Sequence, residues 1–303
     1  IGVPMPSFSI EAFNLGKKYG EDWGLRNATF SVKTGELAVL VGPNGAGKTT
    51  TVNILTTNLK PTKGYARVLG YDTVKEYKEI RKRIAYMPQE FSIGWDHTPW
   101  EVLTWELVAR GWSIRDAKNQ ARRWLKTIGL WNVKDKPLRT LSGGQRRRAT
   151  IATILATEAE VFFLDEPTVG LDVEIRHVVW KVIREVVKER KSIILTTHDM
   201  KEAQTIADKV ILINKGVTIA TSEPMKLIQK LPYEYRIIVR KSGLVKAGKD
   251  CIDLGDRLII YAKNYREMLE IVAEVSKHTG IYLVDRVGLE DAYLKIIRGD
   301  LSG

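Results

Sequence analysis

Gly42-Pro43-Asn44-Gly45-Ala46-Gly47-Lys48-Thr49-Thr50 decides the fold. The apolar run Leu37-Ala38-Val39-Leu40-Val41 stands before it and reads as a buried strand. Val52-Asn53-Ile54-Leu55 follows and reads as the start of a helix. A strand, a loop of the form G-x-x-x-x-G-K-[ST] and a helix together make a phosphate-binding loop. The glycines let successive backbone N–H groups turn inward around an anion. The helix N-terminus aims its free N–H groups and positive dipole end at the same point. In this arrangement Lys48 reaches the terminal phosphates, and the Thr49 hydroxyl is a ligand for Mg²⁺. The loop implies a bound nucleoside triphosphate and leaves open what is done with it.

Bulk properties narrow the setting. The chain has 303 residues, which suits one large domain and a smaller one. A single cysteine, Cys251, excludes a disulfide framework and suits a reducing compartment. No stretch approaches the roughly 18 consecutive apolar residues of a membrane span. Ile1 to Phe8 carries no signal-peptide pattern. The formal charge is +12, and its placement is uneven. Between Arg110 and Arg148 stand twelve Lys/Arg and two acids, Asp116 and Asp135, a net of +10. Such a segment faces nucleic acid, anionic lipid or a bound phosphate, or is a solvated helix face.

Working outward from the loop, strand-like and helical patterns alternate, which predicts an α/β core. Residues 9–34 read as strands around the turn Tyr19-Gly20-Glu21-Asp22. Tyr65 to Leu69 reads as a strand, Glu76 to Arg83 as a helix, and Ile84 to Met87 as a short strand ending at Pro88-Gln89. The segment of about 91–135 is helical by pattern and holds six of the eight tryptophans. Trp124, Leu125 and Ile128 fit a core face at helical spacing. Trp95, Trp100, Trp105 and Trp112 read as an interface cluster or as core packing. Val161 to Leu164 and Ser192 to Thr197 read as buried parallel strands. The core pattern ends near Glu223-Pro224, and the remainder reads as a small α+β domain.

Two further motifs carry chemistry. Asp165 and Glu166 end the apolar run Val161 to Leu164. Downstream of a phosphate loop, the first acid can hold Mg²⁺ through water. The second can align and deprotonate an attacking water. Ser142-Gly143-Gly144 stands ahead of a helix read as Gln145 to Thr157, forming a second anion-binding helix N-terminus. One triphosphate needs one cradle. A second cradle without a second nucleotide motif points to another molecule's nucleotide, as in two copies arranged head to tail about a two-fold axis.

On these motifs the chain resembles the nucleotide-binding subunits of ATP-binding cassette (ABC) transporters. Leu141-Ser142-Gly143-Gly144-Gln145 stands unaltered as that family's signature, and the resemblance covers roughly residues 8–222. It implies an ATP-binding α/β domain over residues 8–224 with a flanking antiparallel sheet and an inserted helical subdomain at about 90–145. A small accessory domain over 225–303 follows. The resemblance further implies that Tyr19 stacks on adenine and that Gly42 to Thr50 with Ser142, Gly143, Gly144 and Gln145 contact ATP. Thr49, Gln89 and Asp165 match the Mg²⁺ site. Glu166 matches the catalytic base, and Gln89 the residue sensing Mg²⁺ and the attacking water. His198 matches the histidine at the γ-phosphate, and Asp172 the loop that meets the opposite subunit.

Two positions depart from the family pattern: Val169, where a polar residue is common, and Val173, where proline is common. Neither removes a charge or a ligand. The implied function is ATP hydrolysis that powers transport through a separate integral-membrane subunit, on the inner face of the cell membrane, by a homodimer or a pair of cassettes. The tail Gly288-Leu289-Glu290-Asp291-Ala292-Tyr293-Leu294 resembles those of single-cassette exporter ATPases of the multidrug and ABC-2 type. Sugar-importer ATPases usually carry longer barrel-like regulatory tails, and import is the alternative direction. Chromosome ATPases of the same superfamily carry a long coiled coil between loop and signature. Here Leu141 stands only 93 positions after Lys48, without sustained heptads. Ribosome-associated factors carry two cassettes, and this chain has one phosphate loop, so nucleic acid is not the expected partner. Trp95, Trp100 and Trp105 are expected to line a groove for the membrane subunit.

Overall fold

The computed structural model describes residues 7–89, 94–242 and 251–301. β1 (Phe8–Tyr19) and β2 (Asp22–Lys33) pair antiparallel up to Tyr19↔Asp22, across the two-residue turn Gly20-Glu21. β3 (Leu37–Val41) is buried along its whole length and runs into α1 (Lys48–Leu55). β4 (Lys63–Val68) and β5 (Tyr71–Asp72) extend the antiparallel part, and α2 (Tyr77–Arg81) leads to β6 (Ile84–Met87). Next come α3 (Pro99–Ala109), α4 (Ile114–Thr127), two 3₁₀ turns and α5 (Gly143–Leu155). β7 (Val161–Asp165), α6 (Val173–Lys188), β8 (Ser192–Thr197), α7 (Met200–Ile206), β9 (Lys209–Asn214) and β10 (Val217–Ser222) follow.

These strands form one ten-stranded sheet in the order β5-β4-β1-β2-β10-β9-β3-β8-β7-β6. β9, β3, β8, β7 and β6 are parallel, as continuous apolar runs demand, because crossover helices cover both faces of such strands. Register does the functional work. Val41 pairs with Thr197 and Asp165 with Thr196. The carboxyl ends of β3, β8 and β7 are therefore level, which is where open α/β sheets bind ligands.

The helical segment between β6 and β7 is held by capped helices. Thr98 and Glu101 form a reciprocal capping box on α3, and the Ser113 side chain caps α4. Ala117, Gln120, Ala121, Trp124 and Leu125 are the buried stripe of α4. Arg115, Lys118, Arg122, Arg123 and Lys126 are exposed, so much of the basic segment is a solvated helix face. The tryptophans divide. Trp95 and Trp105 are 55% and 57% exposed. Trp100 is half-buried, edge-on to Trp131 with ring centroids 5.9 Å apart. Trp131 also lies beneath Arg122, Lys126 and Lys134. The expected start of this segment, residues 90–93, lies outside the described residues.

The chain divides after Thr221 into two compact units. The second contains α8 (Pro224–Ile228), β11 (Tyr235–Arg240), β12 (Cys251–Asp253), β13 (Arg257–Ala262), α9 (Tyr265–Val275), β14 (Ile281–Arg286) and α10 (Leu289–Ile297). Its antiparallel sheet runs β12-β13-β11-β14. Alternation along β13 builds two cores. Leu258, Ile260 and Ala262 pack with Met268 and Val275 of α9, and Ile259 and Tyr261 pack with Leu294 of α10. The tail motif acts here as a structural knot. Buried Asp291 accepts from the Gly288 N–H at 2.8 Å and from the Tyr261 hydroxyl at 2.9 Å, and pairs with Arg236 at 3.3 Å.

Candidate functional site

The phosphate loop is built by backbone geometry. Gly47 caps α1 at φ 102°, a conformation that L side chains rarely adopt. A Cβ on Gly42 would stand 2.1 Å from the Ile213 carbonyl oxygen, so a neighbouring strand enforces this glycine. Gly42→Ala is expected to destabilise the protein by about 2 kcal/mol or more, because the clashing atom is backbone and cannot swing away. A calorimetric melt measures it.

Lys48 and the two acids meet at this end of the sheet. The Lys48 ammonium donates to the carbonyls of Gly42 at 2.8 Å and Pro43 at 3.1 Å, and lies 3.7 Å from the Glu166 carboxylate. Burial pulls its pKa below the ordinary lysine value, opposed by the charges of Glu166 and Asp165. The Thr49 hydroxyl donates to Asp165 at 3.1 Å. The Thr196 hydroxyl donates to the other Asp165 oxygen. The same residue receives the Glu166 N–H, through its hydroxyl at 3.0 Å and its carbonyl at 3.2 Å. Glu166 holds a left-handed φ of 49°. For a residue with a side chain this costs of order 1–2 kcal/mol, and such strain persists where surrounding structure over-determines it. His198 Nδ1 lies 3.0 Å from the Glu166 carboxylate.

A pocket of about 400 Å³ opens here, lined by Gly24, Asn44, Gly45, Gly47, Lys48, Thr49, Thr50, Gln89 and Glu166; Asp165, Thr196 and His198 stand outside its lining. Tyr19 is half-exposed beside it, with its hydroxyl 3.5 Å from that of Thr50. Thr49 and Asp165 offer the hard oxygen donors that Mg²⁺ takes alongside phosphates and water. Among the described residues no cluster of three or more His, Cys, Asp or Glu forms a closed metal cage.

Ser142, Gly143, Gly144 and Gln145 do not line this pocket. The helix they head begins at Gly143, two residues earlier than the sequence pattern predicts, because Ser142 and Gln145 cap it reciprocally. Both glycines therefore lie in the first turn, outside the left-handed region. A Cβ on Gly143 would meet nothing within 4 Å, and one on Gly144 would make only ordinary contact with Leu171 at 3.6 Å. No packing among the described residues requires either glycine.

Sequence reasoning missed two participants. Thr196 lies inside an apolar strand and gives no local signal; only the pairing of β7 with β8 brings it to the acids. Arg147 reads as one cation in a basic run, yet its guanidinium turns inward to backbone carbonyls at the site. Arg148 also turns inward, to the Ile128 carbonyl at 3.1 Å.

Known proteins resemble this chain in sequence and in fold. The sequence model of the family described as ABC transporter matches residues 25–169. The daunorubicin/doxorubicin resistance ATP-binding protein DrrA of Streptomyces peucetius is 36% identical over 215 residues, covering 71% of this chain and 65% of that protein. The Nod factor export ATP-binding protein I of Ralstonia nicotianae is 32% identical over 310 residues, covering 96% and 94% of the two chains. A solved dimeric ATP-binding cassette, in a post-hydrolysis state with ADP and Pi, superposes with a TM-score of 0.65 at 26% identity, covering 71% of this chain and 98% of that one. No helix among the described residues is long and apolar enough to cross a membrane. The chain belongs to the ABC transporter family, as an ATP-binding subunit that hydrolyses ATP.

Proposed function

We propose that this subunit powers export through a separate membrane protein, working as half of a head-to-tail pair of cassettes. The observation that carries the pairing is the bare first turn of α5. Glycine within a helix costs roughly 0.5–1 kcal/mol relative to alanine, and no packing among the described residues needs it here. A surface stripped of side chains at a capped helix N-terminus suits close approach by an anion held elsewhere. In this reading that anion is the ATP bound at the partner copy's phosphate loop. The Ser142 hydroxyl, which already accepts the Gln145 N–H at 3.2 Å, still has a proton to donate.

Within one site the roles follow from position. Tyr19 stacks on adenine, and Gly42 to Thr50 wraps the phosphates. When the γ-phosphate enters, Lys48 exchanges its backbone and Glu166 contacts for phosphate oxygens. Thr49, Asp165 and Gln89 would hold Mg²⁺, which would supply positive charge to offset that of the phosphates. Glu166 accepts a proton from the attacking water. His198 steadies that carboxylate and presents its other face to the γ-phosphate. Export is supported by the names of relatives such as the Nod factor export protein. On this reading residues 8–224 are the ATP-binding domain, with its helical subdomain at about 90–145, and 225–303 are an accessory domain. The protein sits at the inner face of the cell membrane.

The exposed tryptophans test the membrane partner. Trp105→Ala is expected to reduce copurification with the membrane subunit from detergent-solubilised membranes by about tenfold, the size of one interface anchor. Its melting temperature should not change. Trp100→Ala is expected to act on the fold, lowering the melting temperature by several degrees for a loss of about 1.5–3 kcal/mol. Unchanged copurification of Trp105→Ala would count against the groove.

A further inference from the structure

Arg146, Arg147 and Arg148 are consecutive, and the structure gives them three destinations. Arg146 lies over the Trp95 ring, 5.2 Å from its centroid. Arg148 donates to the Ile128 carbonyl. Arg147 reaches from the second turn of α5 into the site. Its Nε donates to the Pro167 carbonyl at 3.0 Å and its Nη1 to the Gln89 carbonyl at 2.9 Å. Its Nη2 donates to the Asp165 carbonyl at 3.2 Å and to the Glu166 carbonyl. Three successive carbonyls of one loop and one carbonyl of another thus converge on a single planar fork.

Only a guanidinium can do this. Its donors are coplanar and rigidly spaced, whereas an ammonium is a point charge with rotating donors. The loop it grips is the strained one. Thr196 fixes Glu166 from the N–H side, and Arg147 fixes it from the carbonyl side. A left-handed residue with a side chain held from one side only can relax toward the ordinary regions. The carboxylate would move with the backbone. Burial lowers the Arg147 pKa, opposed by the charges of Asp165 and Glu166.

We propose that Arg147 is a positioning residue for hydrolysis, locking the backbone of Glu166 and Gln89 to α5, the helix capped by Ser142. The proposal rests on the reading of Glu166 as the base. It makes α5 a lever: the helix end that meets the partner's ATP and the loops that meet this chain's own ATP share one rigid connector. A shift of α5 is thereby transmitted to both loops.

The test is steady-state turnover and equilibrium ATP binding of the full chain carrying Arg147→Ala, Arg147→Lys or Glu166→Gln. Misplacing a reacting group by about 1 Å costs around 100-fold, so Arg147→Ala is expected to lose about that much kcat. Its ATP Kd should stay within about threefold, since no phosphate contact is removed. Arg147→Lys is expected to lose at least about tenfold in kcat, because one ammonium cannot satisfy four carbonyls in one plane. Guanidinium at about 20 mM should restore part of the alanine variant's turnover by refilling the vacated fork, and ammonium should not. The proposal is overturned if Arg147→Lys turns over at the parent rate. It is also overturned if kcat, ATP affinity and melting temperature of Arg147→Ala all fall together, or if guanidinium gives no rescue. Should the alanine variant fail to fold, the lysine variant decides. Normal turnover by Glu166→Gln would instead sink the base assignment, whatever the Arg147 variants do.

Discussion

Glu166→Gln is expected to lose roughly 10²–10⁴-fold in ATP turnover, the share a positioned general base contributes, while still binding ATP. The amide keeps the size of the side chain and can still accept a hydrogen bond from His198, whose Nδ1 lies 3.0 Å from the native carboxylate. It cannot take a proton from water. Removing the charge also removes repulsion toward incoming phosphates and frees Lys48 from a carboxylate 3.7 Å away. ATP affinity should therefore equal or exceed that of the parent. Single-turnover hydrolysis and nucleotide titration separate the two effects. A variant that turned over at the parent rate would remove Glu166 from the reaction.

Lys48→Ala is expected to weaken ATP binding by about 100-fold or more, from loss of a charge-assisted contact to the terminal phosphates in a half-enclosed site. The native ammonium is buried and held over the loop by the Gly42 and Pro43 carbonyls. Without it, Asp165 and Glu166 stand near the phosphates with less positive charge to offset them. The two variants should thus separate: Lys48→Ala fails at binding, and Glu166→Gln fails after it. Equal ATP affinity for Lys48→Ala and the parent would contradict the assignment of this loop to the phosphates.

What could be read from the sequence follows the range of the interactions. The strand, loop and helix around Lys48 are legible because every part is local: an apolar run, glycines at fixed offsets, then a helix. Asp165, Glu166 and His198 are legible as residues at strand ends, since the apolar runs before them mark β7 and β8. Their convergence is a matter of register. Nothing near Thr196 says that its hydroxyl and backbone will meet both acids, because that depends on the pairing of β7 with β8.

Arginines 146 to 148 show the same limit. A run of three cations reads as solvent-facing, yet helical geometry turns neighbouring positions by about 100° and sends them to different surroundings. Trp100 reads as part of an interface cluster or as core packing, and the 3₁₀ turn at Trp131–Val133 offers it an aromatic partner far along the chain. The short strand β12 lies beside residues 243–250, which are not described, and its three residues are too few for a periodic signal. The early start of α5 is hidden because glycine argues against helix, until the capping pair Ser142 and Gln145 is seen to outweigh it.

The central claim is that Lys48 of one copy and Ser142 of another enclose the same ATP. Sedimentation equilibrium of Glu166→Gln tests it most directly, run without nucleotide, with Mg²⁺ and ATP, and with Mg²⁺ and ATP in a Ser142→Arg, Glu166→Gln double variant. Monomer mass is expected without nucleotide and a doubling of mass with ATP. A return to monomer is expected in the double variant, whose bulky cation blocks the bare helix end while its own phosphate loop still binds ATP. A Glu166→Gln protein that stays monomeric at saturating ATP would contradict the shared site, as would an ATP-driven dimer indifferent to Ser142→Arg.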